Sequence, residues 1–334
     1  MKFATHLSNG QPTFSVLHGE ALVPLHDLFK AAGAIGAPQS LQALIDGGDA
    51  ELGRVRGLVD RLQRGELTVA GVPLSGVDWL PAVPRPSKIL AVAMNNRGLT
   101  VGAHKNPAGP MFFLKPPSAL TAHGAAIEIQ PEYGLTFPEL ELAAVIGKRA
   151  RHVSEADALL HVFGYTIVND VTSQGLKSGD SIAVDVPDMR GNPRYASYFD
   201  WRHLKGDDDA AVYLTYHTRS KGCDTFGPVG PLVTEARDVA DPNALQVRGY
   251  LDGEQFAEDA TSNYAHRVEK VISYASRYFT LEPGDLLLFG TSAKGVGRFK
   301  RGHLEVDMSK LDGSRIDIDI TGLGRLSNVL RHVG

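Results

Sequence analysis

The stretch "FPELELAAVIGK", residues 137–148, changes character along its length. From Leu142 to Ile146 every position is apolar, the pattern of a strand covered on both faces. Just before it, Glu139 and Glu141 alternate with Leu140 and Leu142. Successive side chains of an extended chain point to opposite faces, so the two glutamates share one. Their Cα atoms would stand roughly 6.6 Å apart, two strand rises. Two carboxylates at the mouth of an interior strand either lie in water or need protons or a cation. The stretch alone leaves both readings open.

Outward from it, "GYTIVNDVTSQ", residues 164–174, is a β-type run that breaks into polar sequence at Asn169-Asp170. Asp170 is a turn former or a third ligand. Three hard oxygen donors, without a histidine or cysteine cluster, suit Mg²⁺, Mn²⁺ or Ca²⁺ and not zinc. Further on, "RSKGCDTFGPVGP" at 219–231 is a stiff turn sequence with Lys221 at its entrance. A lysine there is usually solvated; beside three acids it can pair a carboxylate or bind a substrate oxygen. "DLLLFGTSAKGVG", residues 285–297, is an apolar strand emptying into a glycine-rich loop. It is not a phosphate-binding P-loop, which needs Gly-Lys-Ser/Thr opening a helix. Its glycines let backbone amides and Thr291 approach a carboxylate, unless the loop is simply a tight turn.

The rest of the 334 residues bounds the class. With 43% apolar and 22% charged residues the composition is that of a soluble globular protein. A net charge of -4 gives no footprint for nucleic acid or acidic lipid. No apolar run reaches membrane-spanning length, and "MKFATHLSNG" lacks the apolar core of a signal peptide. One cysteine, Cys223, excludes an intrachain disulfide and fits a reducing cytoplasm. Short strand patterns fill the first thirty residues, and Leu52, Val55, Leu58, Val59 and Leu62 fall at helical spacing. "LPAVPRPSK" at 80–88 reads as a linker between a small N-terminal domain, 1–80, and a main domain, 87–334. Strand patterns dominate the main domain, with helices expected at 154–163 ("SEADALLHVF") and 264–278. Runs of strands with few helices argue for an α+β, β-rich mixed sheet.

In this order, "KILAVAMNNR", "MFFLKPPSAL", "FPELELAAVIGK", "GYTIVNDVTS", "SKGCDTFGPVGP", "YFTLEPGDLLLFGTSAKGVG" and "ITGLGRLSN" make residues 87–328 resemble the fumarylacetoacetate hydrolase (FAH) family. The resemblance implies that family's mixed β-sheet roll, here behind a small N-terminal α/β domain, and a homodimer. It matches Glu139, Glu141 and Asp170 to the metal carboxylates and Lys221 to the active-site lysine. It matches Thr291, after Gly290, to the residue that binds the substrate's carboxylate or oxo group. Substrates would be 2-oxo or 2,4-dioxo acids held on Mg²⁺ or Mn²⁺, including the acylpyruvates of aromatic-compound catabolism.

The chain departs from that pattern at one place of consequence. The family's hydrolases carry a histidine and, three residues later, a glutamate that together activate water. Here Leu99 and Gly102 stand at those positions, and Asn96 stands at the usual tyrosine. His104 and His203 are the histidines in sequence that can replace the pair, and Arg97 either reaches a substrate carboxylate or is simply an exposed arginine. Residues 181–209 form a long connection, either a surface excursion or a lid offering Arg190, Arg194, Tyr195 or His203. The first expectation is hydrolysis of a C–C bond in a 2,4-dioxo acid. The alternative is a decarboxylase, tautomerase or dehydratase acting on a 2-oxo acid. A metal-dependent binding protein without turnover is the third class.

Overall fold

The computed structural model describes residues 1–99, 108–185, 193, 211–291 and 294–334. The Leu140–Ile146 strand lies between Val162–Asn169 and Leu286–Thr291, antiparallel to both. Beyond Leu286–Thr291 come Ile89–Ala93 and then Met111–Lys115 at the sheet edge. On the other side, Val162–Asn169 pairs with Gly227–Glu235, which pairs in turn with Lys2–Ser8. Gln11–His18, Ala21–Pro24 and the short Val72–Pro73 follow, so strands from the first eighty residues continue the main sheet. A second, five-stranded sheet runs Glu254–Ala260, Gln246–Leu251, Arg315–Ile320, Gly324–His332, Ala126–Ile129. The architecture is the β-rich, mixed-sheet α+β fold expected from the strand pattern.

The uninterrupted apolar run at 142–146 now has its cause. Leu140, Leu142, Ala144 and Ile146 pack into a core shared with Val247, Ile316, Ile318 and Leu326 of the second sheet and with the Val268–Tyr278 helix. Ala143 and Val145 face the opposite way, into a core with Phe3, Phe14, Val16, Leu28, Val55 and Val59 of the N-terminal segment. Fully burying each large aliphatic side chain contributes about 1.5–3 kcal/mol, so both faces demand apolar residues. The helix Gly48–Gln63 buries Val55, Val59 and Leu62, the stripe its spacing predicted.

One expected helix is not there. Residues 154–163 form only a short 3₁₀ turn, Ala158–His161, after which Val162 starts a strand paired to Ile146. The apolar spacing was helical, but Val162 and Phe163 are held by the sheet, where β-branched and aromatic residues pack well. The long connection begins and ends as a hairpin, Ser181–Asp185 against Ala211–Thr215. Gly102, His104, Arg190, Arg194, Tyr195 and His203 lie outside the described residues.

Candidate active site

The site forms where the central strand leaves the core. Strand pairing puts Leu140 opposite Asn169, and Asp170 follows at once, its N–H donating to the Glu139 carbonyl at 2.9 Å. Carboxylate oxygens of Glu139, Glu141 and Asp170 therefore converge within 4.8 Å of one another. Glu141 and Asp170 are buried; Glu139 is partly open. Each of the three is held in place. Thr172 Oγ1 donates to Glu139 Oε1 at 2.5 Å, and the Glu139 N–H donates to Asn169 Oδ1 at 3.0 Å. The Gly290 N–H donates to Glu141 Oε2 at 2.8 Å.

That last bond comes from a β-bulge. Glu141 pairs with Thr291 and Ala143 with Leu288, so Phe289 and Gly290 together oppose Leu142. The extra residue twists the strand end and turns the Gly290 N–H toward the carboxylate. Gly290 has φ +101°, and a Cβ there would meet Asn95 Cβ at 3.0 Å, so glycine is required twice over. Asn95 secures the bulge, its Nδ2 donating to the Phe289 carbonyl at 2.8 Å and to the His266 carbonyl at 3.0 Å. Asn96 donates from Nδ2 to the Thr291 carbonyl at 3.1 Å and to Asp259 Oδ2 at 3.0 Å. Thr291 Oγ1 accepts the Leu140 N–H at 2.9 Å, binding the two strands at the site.

Two lysines meet the acids. Lys221, in the short helix Thr218–Gly222, donates from Nζ to Asp170 Oδ2 at 2.6 Å and to Glu139 Oε1 at 2.9 Å. Its ammonium also lies 5.0 Å from the centre of the Phe113 ring. Lys115 is fully buried, with Nζ donating to the Lys221 carbonyl and standing 2.7 Å from Asp170 Oδ1. That approach is close for Coulomb attraction but poorly angled for a hydrogen bond.

The electrostatics follow from this packing. Burial alone would raise the Asp170 pKa, but Lys115 and Lys221 overcome it and hold it below the usual carboxylate range. Glu141 goes the other way: burial, then repulsion from Asp170 and Glu139, push it well above its ordinary value. Burial works against the Lys221 ammonium, yet Asp170, Glu139 and Glu141 outweigh it and raise its pKa. For Lys115 complete burial wins, and its pKa falls despite Asp170. A cluster in which one acid is pushed toward protonation, although two lysines are present, has room for added positive charge. Three carboxylates of this kind are the oxygen donor set that a hard divalent cation takes.

The structure thus brings together Glu139, Glu141, Asp170 and Lys221, with Gly290 and Thr291 on the adjoining strand. Arg97 is exposed, with Nη1 donating to the Ser262 carbonyl at 3.1 Å. Leu99 is half-buried, in a turn that returns its N–H to the Asn96 carbonyl. Sequence reasoning passed over Lys115, a lysine closing the apolar strand "MFFLK" ahead of two prolines. A charged residue in line with an apolar run was the available signal.

Comparison with known proteins bears on this arrangement. The family model for the fumarylacetoacetate (FAA) hydrolase C-terminal domain matches residues 88–331. Oxaloacetate tautomerase YisK of Bacillus subtilis is 30% identical over 337 residues, spanning 98% of this chain and 99% of its own length. Bovine mitochondrial oxaloacetate tautomerase FAHD2A is 30% identical over 286 residues, 81% of this chain and 78% of its own. The crystal structure of maleylpyruvate hydrolase from Sphingobium sp. SYK-6, in complex with manganese(II) and pyruvate, superposes with a TM-score of 0.70. It is 24% identical, with all of both chains covered.

Proposed function

The chain belongs to the fumarylacetoacetate hydrolase family, and from that premise we propose that it is a divalent-metal enzyme interconverting the enol and keto forms of a 2-oxo dicarboxylic acid of the oxaloacetate class. Glu139, Glu141 and Asp170 would hold the ion, Mg²⁺ first, with Mn²⁺ and Ca²⁺ suiting the same oxygens. When bound, such an ion polarises the substrate's 2-oxo and carboxylate oxygens. Lys221, kept protonated by its carboxylates, faces the negative charge that develops on the C2 oxygen. The substrate's carboxylate is assigned to the side of Gly290 and Thr291, beside Glu141.

One feature carries this reading: by the family resemblance, Leu99, an apolar side chain, aligns with the water-activating histidine of the family's hydrolases. Hydrolysis needs a base placed on an attacking water as well as a proton for the departing carbon, whereas tautomerisation needs a polarised carbonyl and one acid–base group at C3. The tautomerase relative that matches nearly the whole chain, N-terminal segment included, supports it. Hydrolysis of an acylpyruvate is the second reading and rests on His104 and His203 as replacement bases.

With Mg²⁺, the protein is expected to accelerate ketonisation of enol-oxaloacetate, followed by loss of the enol absorbance, and EDTA to abolish the effect. Acylpyruvates should keep their dioxo chromophore. Acylpyruvate consumption with ketonisation no faster than in buffer would sink the tautomerase reading and restore the hydrolase.

A cytoplasmic homodimer is also proposed. The Met111–Lys115 strand ends the main sheet, and Met111 and Leu114 are exposed on it. Exposed apolar residues on an edge strand can take part in pairing with a second copy. Leu114→Asp should halve the mass measured by light scattering; an unchanged mass places any dimer contact elsewhere.

A further inference from the structure

His217 is the N-cap residue of the Thr218–Gly222 helix, four residues before Lys221, whose N–H donates to the His217 carbonyl at 3.1 Å. Side chains four apart share a helix face, about one 5.4 Å turn from each other along the axis. Both side chains lie by one ring: Lys221 Nζ is 5.0 Å from the centre of Phe113 and the His217 ring 6.5 Å from it. His217 is half-buried, and neither ring nitrogen has a hydrogen-bond partner among the described residues. A half-buried imidazole with both nitrogens unengaged, one turn from a site lysine, has the chemistry to take or give a proton.

We propose that His217 is the acid–base residue that exchanges the substrate's C3 proton. The inference rests on the tautomerase reading for the identity of the reaction. In enolisation the neutral imidazole takes a proton from C3. The C–H electron pair becomes the C2–C3 double bond, and the carbonyl π pair moves onto the C2 oxygen, which takes a proton from water. Ketonisation is the reverse: the enol proton passes to the hydroxide that enolisation leaves, and the imidazolium protonates C3. Lys221 donates to the C2 oxygen throughout and changes no bond of its own.

The groups facing His217 set its pH behaviour. Burial first, then the Lys177 and Lys221 cations, pull its pKa below 6.5, while Glu139 opposes them. The two directions share one transition state and the keto–enol equilibrium does not involve the imidazole, so kcat/KM for both should rise together as pH rises through the His217 pKa and level off once the ring is neutral.

The test has two readouts. In protein labelled with ¹⁵N-histidine, the His217 resonances, assigned by their loss in His217→Gln, are followed on adding Mg²⁺ and then oxalate, a dicarboxylate mimic of the enolate. Their shift and a moved titration are expected with oxalate and not with Mg²⁺ alone. In the assay, His217→Gln should lose about 10²-fold or more in kcat, the typical worth of a general acid–base group, and its pH limb. Its Mg²⁺ affinity should stay that of the wild type, and imidazole should partly rescue His217→Ala. A His217 signal that ignores oxalate, or a variant within threefold of wild type with its pH profile intact, overturns the assignment. A wild type inactive on enol-oxaloacetate whose His217 still responds to oxalate removes the tautomerase reading and supports the placement of His217.

Discussion

Asp170→Asn is expected to remove metal-dependent turnover and to lower the stability of the metal-free protein by about 3–5 kcal/mol, the cost of breaking a buried ion pair from one side. Asp170 is fully buried between Lys115 and Lys221, and the amide would leave both amines facing no anion there. Glu141→Gln should abolish metal binding equally but act oppositely on the fold. Glu141 is buried beside two other carboxylates and its pKa is raised, so its ionised form costs stability. Between its unfolded pKa, about 4.3, and its higher folded pKa the native state binds the extra proton. Stability of the metal-free wild type therefore falls as pH rises through that window, and Glu141→Gln flattens the fall. Denaturant titrations in EDTA across that range, with calorimetry for Mg²⁺, check both. Equal losses of stability in the two variants would show that the acids are not divided as described.

Lys221→Met should lower kcat by about 10²–10³-fold, the usual effect of removing one preorganised donor to a developing oxyanion. The same change should leave the Mg²⁺ dissociation constant unchanged or tighter. Lys221 Nζ sits on Glu139 Oε1 and Asp170 Oδ2, atoms that an incoming cation would use, so removing it removes a competitor. Single-turnover rates at saturating Mg²⁺ separate the effects. Weakened metal binding with unchanged turnover would make Lys221 only a structural partner of the carboxylates.

Much of the site was legible because its residues are embedded in strong local patterns. Glu139 and Glu141 precede a run that is apolar on both faces, and Asp170 ends a second such run. Patterns of this kind report burial at period two, which each strand records in its own residues. The strand-rich composition, the buried central strand and the three acids at its mouth follow from that record and the family resemblance. The state of 154–163 did not, because its spacing fits a helix while the sheet takes Val162 and Phe163 into a strand.

Convergence between distant segments is a different matter. Lys115 reaches Asp170 across 55 positions and the Gly290 N–H reaches Glu141 across 149. Those meetings depend on strand register and on one bulge that adds a residue opposite Leu142, and register is a property of paired strands, not of either strand alone. His217 became visible only when its helix was seen to share the Phe113 ring with Lys221. The chain's own residues determined which groups carry charge, which strands are buried and which chemistry the acids suit. The tertiary structure alone decided which lysine faces which acid, because side-chain meetings are set by packing across the sheet and leave no period in the sequence.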